Sequence, residues 1–189
     1  MNLPNKITVF RIICIPFFVV ALLVNFKFHE PVALFLFAIA AISDKVDGSI
    51  ARSRNLVTDF GKFMDPLADK LLVCSAFICL IELGMMPSWV VIIIIAREFA
   101  ITGLRTLAAS DGIVIAASKW GKAKTVSQMI CIIALLILNW FVTFNSVTMN
   151  TICVYLAIFG DIMTYVAMAL TLYSGIDYFR LNKHVIKSF

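Results

Sequence analysis

Histidine is nearly missing from this chain, charged side chains are sparse, and no two cysteines stand in a C-x-x-C pair. Only His29 and His184 supply imidazole in 189 residues. One lies at a turn and one in the tail, and neither is assigned any chemistry. The five cysteines, Cys14, Cys74, Cys79, Cys131 and Cys153, lie in apolar stretches, so they read as small buried hydrophobes, not as metal or redox ligands. Charged residues make up 14% of the chain against 62% hydrophobic, and the mean hydropathy is +1.00. That balance excludes an ordinary soluble domain and places the chain in the membrane class. There is no low-complexity linker and no clear repeat, and the length leaves no room for a separate soluble domain. No small-residue cleavage site follows the long first apolar run, so no cleavable signal peptide is expected.

What is present is a series of six apolar runs, at about residues 7–26, 31–52, 61–83, 89–109, 126–144 and 151–173, each close to the ~20 residues that a bilayer core requires. The expected fold is therefore an all-α integral membrane protein of six transmembrane helices. It forms a single domain over residues 1–189, with a short interfacial lead-in before the first span and a basic tail after the last. Six spans put both termini on one side. Of the sixteen basic residues, only Lys27 falls on the other side when each is assigned to its nearest membrane face. The positive-inside rule then makes both termini cytoplasmic, in the cell inner membrane. The formal charge of +5 belongs to that membrane face, and no nucleic-acid partner is expected.

Against this apolar background four carboxylates stand out: Asp44 and Asp47 near the end of the second run, Asp65 and Asp69 near the start of the third. Spacings of three and four residues put each pair on one helical face. An Asp at the centre of a membrane helix costs roughly 2.5–3.5 kcal/mol, so four of them need a compensating partner. Charge pairing with local Lys and Arg is the bland account, but Lys45, Lys62 and Lys70 are expected on other faces. A pair of divalent cations is the alternative. An all-carboxylate, histidine-free site suits Mg²⁺ or Mn²⁺ and argues against Zn²⁺. Two such ions would neutralise a pyrophosphate and stabilise the leaving oxygen of a phosphoryl-type transfer.

The full pattern is Asp44-x2-Asp47-Gly48-x2-Ala51-Arg52-x8-Gly61-x3-Asp65-x3-Asp69. It resembles the signature of the CDP-alcohol phosphotransferases at every fixed position. The resemblance implies a two-metal transferase with Asp44, Asp47, Asp65 and Asp69 as metal ligands and Asp69 also as general base, and a polar cavity open to the cytoplasmic side. Gly48 and Ala51, small and one turn apart, would let a flat cytosine ring approach, although small residues also serve helix packing. Arg52 would grip a nucleotide phosphate, and Gly61 would allow close approach of a ligand or the facing helix. Thr8 and Arg11 resemble the family's N-terminal element and would add phosphate contacts, with interfacial anchoring as the competing account.

A second, basic constellation lies downstream. Arg97 and Arg105 are eight residues apart, just over two helical turns, and share a face. Lys122 sits in the Gly121-Lys122-Ala-Lys124-Thr125 segment. Glu98 is next to Arg97 but points about 100° away on an ideal helix, so an absent anion is the preferred partner and internal pairing with Glu98 or Asp161 the competing one. Two arginines and a lysine suit a phosphate monoester more than a neutral alcohol. The segments 55–70, 97–105 and 116–125 resemble family members that take glycerol 3-phosphate, and over about residues 2–130 the resemblance implies CDP-diacylglycerol as donor, glycerol 3-phosphate as acceptor and a homodimer. The last two spans are expected to serve as scaffold. An inositol phosphate acceptor within the same family, and a divalent-cation transporter outside it, are the alternatives. The transporter needs a polar path to both faces, whereas the outer halves of four spans are almost purely apolar.

Overall fold

A computed structural model describes the backbone of residues 3–53, 59–110, 118–144 and 146–182. Side chains are described for these residues except 3, 4, 44–53, 59, 60, 62, 63 and 110. Among the described residues there are six helices and no strand: α1 (Leu3–Leu23), α2 (His29–Ser53), α3 (Asp59–Glu82), α4 (Ser88–Ser110), α5 (Lys119–Phe141) and α6 (Val147–Leu181). The all-α expectation is met. Three helices, Asn5–Leu23, Lys119–Phe141 and Val147–Leu181, are long and apolar enough to cross a membrane by composition alone. The α3 and α4 helices, of 24 and 23 residues, are also of membrane length, but α3 carries Asp65, Asp69 and Lys70 and α4 carries Arg97, Glu98 and Arg105 within one membrane-length window. The side chains that dilute their hydropathy are those a buried polar site needs.

Local chemistry sets the helix ends. The α3 helix closes with Gly84 at φ 69°, where the Met85 N–H donates to the Leu80 carbonyl and the Gly84 N–H to the Ile81 carbonyl. This paired closure needs a left-handed residue, which glycine supplies without a Cβ penalty. The α5 helix starts at Lys119 because the Ser118 hydroxyl accepts from the Gly121 N–H at 3.0 Å and caps the first turn. The helix thus begins before the apolar run expected from about residue 126, and Lys119, Lys122 and Lys124 lie on its first two turns. Likewise α6 runs to Leu181, two turns past the expected end of its span. At 1.5 Å per residue its 35 residues measure about 52 Å, more than the ~30 Å hydrocarbon core requires.

Apolar side chains from α1 to α5 form the main core, with Phe18, Phe37, Phe77, Leu80 and Leu135 sealed within it. Phe18 and Phe37 meet at 5.6 Å between ring centroids. The α1 helix contacts both α2 and α3 more extensively than those two contact each other, so α1 packs against both helices that carry the acid motif. Burial of apolar surface gives little drive between helices in lipid, so seams depend on small residues and polar contacts. The α6 seam shows this. Gly160, Thr164, Ala167, Thr171, Ser174 and Tyr178 are buried along one face, while its other faces stay exposed and are mostly apolar. A Cβ at Gly160 would lie 2.6 Å from Leu135 Cδ2, which measures how closely α5 and α6 approach. Gln128 Nε2 donates to Thr171 Oγ1 at 3.2 Å across the same seam.

Candidate active site

The acid motif straddles α2 and α3. Asp44, Asp47, Gly48, Ala51 and Arg52 lie on the last turns of α2, and their side chains fall outside the described residues. Gly61 is buried on the first turn of α3, and Asp65 and Asp69 follow half-buried at i, i+4 spacing. Thr8 donates its hydroxyl to Asp65 Oδ1, tying α1 to the motif. Thr8 and Arg11 are both 0% exposed, so interfacial anchoring does not describe them. Among the described residues no group of three His, Cys, Asp or Glu side chains converges as a metal site; two of the four motif carboxylates lie outside that set.

The basic constellation converges around Asp69, one turn along α3 from Asp65. A cavity of ≈450 Å³ is lined by Asp69 and Lys70 from α3, Arg97, Glu98, Thr102 and Arg105 from α4, Lys122 and Lys124 from α5, and Tyr178 from α6. Five cations face two carboxylates, a surplus that suits a multiply charged anion. Arg97 and Arg105, placed on one face by their spacing, and Lys122, marked by its segment, share this cavity with Asp69.

Details of the charge pairing correct the sequence-based picture. Glu98 is not turned away from Arg97. Its Oε1 lies 3.5 Å from Arg97 Nη1 and also accepts from Lys124 Nζ, because two long side chains bridge an angle that helix geometry alone would keep apart. Lys124 is 4% exposed and is held by this pair. Arg97 Nη2 donates to Ser174 Oγ at 3.0 Å, yet among the described residues its buried Nε has no hydrogen-bond partner. Arg105 donates through Nε to Tyr178 Oη at 3.1 Å and stacks on the same ring, 5.3 Å from the centroid. Lys122 stays exposed. Among the described residues neither Arg105 nor Lys122 has a carboxylate within ion-pair distance. Asp161 is exposed on α6.

Several of these residues were not marked in the sequence. Lys70, expected on another face, lines the cavity and donates to Thr102 Oγ1. Lys124, Ser174 and Tyr178 were unassigned, and α6 was expected only to scaffold. The available signal was the polar periodicity Thr171, Ser174, Tyr178 in an otherwise apolar helix.

Together, the membrane-length helices and the adjoining acidic and basic sites define a multi-pass membrane protein built to handle phosphate-bearing ligands. The chain belongs to the CDP-alcohol phosphatidyltransferase family, whose model matches residues 1–173. It is an enzyme of phosphatidyl transfer, and membership sets aside the cation-transporter alternative. A Bacillus subtilis protein named CDP-diacylglycerol–glycerol-3-phosphate 3-phosphatidyltransferase is 45% identical over 99% of this chain and 98% of its own length. Proteins of the same name from Rickettsia felis and Haemophilus influenzae are 37% and 36% identical, each over 96% of this chain and over 96% and 94% of their own lengths. The similarity thus extends well beyond residue 130 and takes in the last two helices.

Proposed function

We propose that this protein transfers the phosphatidyl group of CDP-diacylglycerol to the primary hydroxyl of sn-glycerol 3-phosphate, giving phosphatidylglycerophosphate and CMP. The observation that carries the reading is the cavity in which Asp69 stands with Arg97, Arg105 and Lys122. A base and a phosphate cradle in one space suit an acceptor that bears both a hydroxyl and a phosphate. The names of the relatives agree with this choice.

The acid motif fits hard divalent cations by its chemistry. Asp44, Asp47, Asp65 and Asp69 present only oxygen donors, and Asp65 is already oriented by the Thr8 hydroxyl. When bound, two Mg²⁺ or Mn²⁺ ions neutralise the pyrophosphate and stabilise the departing phosphate oxygen. Thr8, Arg11 and Arg52 hold the donor phosphates, while Gly48, Ala51 and Gly61 leave room for the nucleotide. Donor acyl chains have a place in an apolar groove of ≈420 Å³ between α1 and α2, lined by Lys6, Ile7, Phe10, Ile39, Ile42 and Ser43, which ends one residue before Asp44. Arg97, Arg105 and Lys122 bind the acceptor phosphate. Asp69 removes the proton from the acceptor hydroxyl, whose oxygen attacks the β-phosphorus, and the bond to the CMP oxygen breaks. The same reading opens the cavity to the cytoplasm, places both termini there in the inner membrane, and pairs two copies as a homodimer. Tag accessibility at each end and mass measurement in detergent check those points.

The test is CMP release by purified protein given CDP-diacylglycerol and Mg²⁺, with glycerol 3-phosphate, an inositol phosphate and serine offered in parallel. Release with glycerol 3-phosphate alone, abolished by EDTA, is the expected result. Release with another acceptor overturns the assignment of Arg97, Arg105 and Lys122, and release that survives EDTA removes the metals.

A further inference from the structure

Arginine meets an apolar wall at a second place, outside the cavity. A groove of ≈710 Å³ runs between α4 and α6. Ala96 and Ala100 of α4 and Gly175 of α6 keep it open, Arg97 and Arg180 supply its only charges among the described lining residues, and no carboxylate lines it. A Cβ at Gly175 would come within 3.3 Å of Arg97 Cγ, so the glycine lets the Arg97 stem lie between the groove and the basic cavity. Arg97 lines both spaces. Arg180 is exposed in the last turn of α6 and has no carboxylate within ion-pair distance among the described residues. Since α6 is longer than the hydrocarbon core, its last turns reach the headgroup layer, where an arginine keeps its charge solvated and faces lipid phosphate.

We propose that the α4–α6 groove binds an anionic phospholipid of the surrounding bilayer, with an acyl chain along Ala96, Ala100 and Gly175 and its phosphate against Arg180. The apolar lining selects a lipid tail, and Arg180, with no carboxylate in ion-pair distance among the described residues, selects a negative headgroup over a zwitterionic one. The site is separate from the α1–α2 groove assigned to the donor. Because Arg97 forms the shared wall, an occupant would steady the side chain that also faces the acceptor phosphate.

The experiment is lipid retention by the full-length protein, purified from vesicles of equimolar phosphatidylglycerol and phosphatidylcholine and read by native mass spectrometry. Retention of phosphatidylglycerol is expected to exceed that of phosphatidylcholine by about fivefold, the effect of one basic residue near an anionic headgroup. Arg180→Gln removes the preference, Arg180→Lys keeps most of it, and Ala100→Phe displaces the lipid by filling the groove. Ala100 is exposed, so its replacement adds bulk without disturbing the core. CMP release in phosphatidylcholine vesicles stays at the parent level in all three, which shows that they fold. Equal retention of both lipids overturns the proposal, as does a preference that survives both Arg180→Gln and Ala100→Phe. Retention of neither lipid, as when a second copy fills the groove, also overturns it.

Discussion

The ion pair joining α4 to α5 gives a sharp test of the cavity. Glu98 Oε1 takes both Lys124 Nζ and, at 3.5 Å, Arg97 Nη1. Lys124 is 4% exposed and the Glu98 side chain 14%. Replacing Glu98 by Gln keeps the size and one acceptor oxygen but takes the shared carboxylate from both Lys124 and Arg97. Removing one partner of a buried pair costs about 3–5 kcal/mol; because the cavity admits water, the lower end applies, about 3 kcal/mol. For a chain of this length each kcal/mol moves the thermal midpoint by about 2–4 °C, so Glu98→Gln lowers it by about 6–12 °C. Lys124→Met deletes the buried cation and leaves Glu98 to Arg97, and the loss is smaller. The double variant brings the Arg97–Glu98–Lys124 cluster back from +2 to the parent's +1 and recovers part of the midpoint, a coupling that residues sharing one ion-pair network show. Thermal unfolding of the four proteins in one detergent reads this cycle. A Glu98→Gln midpoint within 2 °C of the parent, or a double variant no better than the single, refutes the claim that an uncompensated buried charge is what the pair prevents.

Three further outcomes follow from the same geometry. Asp69→Asn lowers CMP release by about 10²–10⁴-fold, the contribution of a positioned general base, while the thermal midpoint holds; retention of full activity removes the base assignment. Lys122→Ala raises the glycerol 3-phosphate KM by roughly tenfold or more, the effect of losing one charged hydrogen bond, with kcat nearly unchanged; an unaltered KM takes Lys122 out of the phosphate cradle. Gly160→Val overpacks the α5–α6 seam against Leu135 and costs about 1–3 kcal/mol, whereas Gly103→Ala, whose Cβ meets nothing within 4 Å, leaves the midpoint unchanged or raised. Equal midpoints for the two glycine variants would contradict the close approach at Gly160.

The helices and the acid motif were legible because each leaves a local mark. Apolar runs of membrane length announce spans, and carboxylates in such runs are too costly to be incidental. Arg97 and Arg105 could be placed on one face because their spacing is set by a single helix. The partners of those arginines were not legible. Ser174 and Tyr178 lie 77 and 73 residues from the groups that donate to them, and nothing local in α6 says which helix it will pack on. The Glu98 misreading has a related cause. Ideal helix angles describe Cβ directions, while a Glu and an Arg reach several ångströms past their Cβ atoms. Helix boundaries shifted where capping competed with hydropathy: Ser118 starts α5 seven residues before its apolar run begins.

The two constellations meet on α3. Asp65 and Asp69 are one turn apart on nearly the same face, yet their surroundings differ. Asp65 takes a hydroxyl from Thr8 of α1, on the side where the acid motif and the α1–α2 groove lie. Asp69 lines the cavity built by α4, α5 and α6. Among the described residues it is the one motif carboxylate that also lines the basic cavity. A transfer between two bound molecules needs one group within reach of both, and the reacting hydroxyl must come to it with its phosphate already held. Asp69 satisfies that condition by position, before any appeal to its acidity. On the proposed assignment a single helical turn of α3 separates donor from acceptor, and a substitution at Asp65 weakens donor handling where one at Asp69 stops the proton transfer.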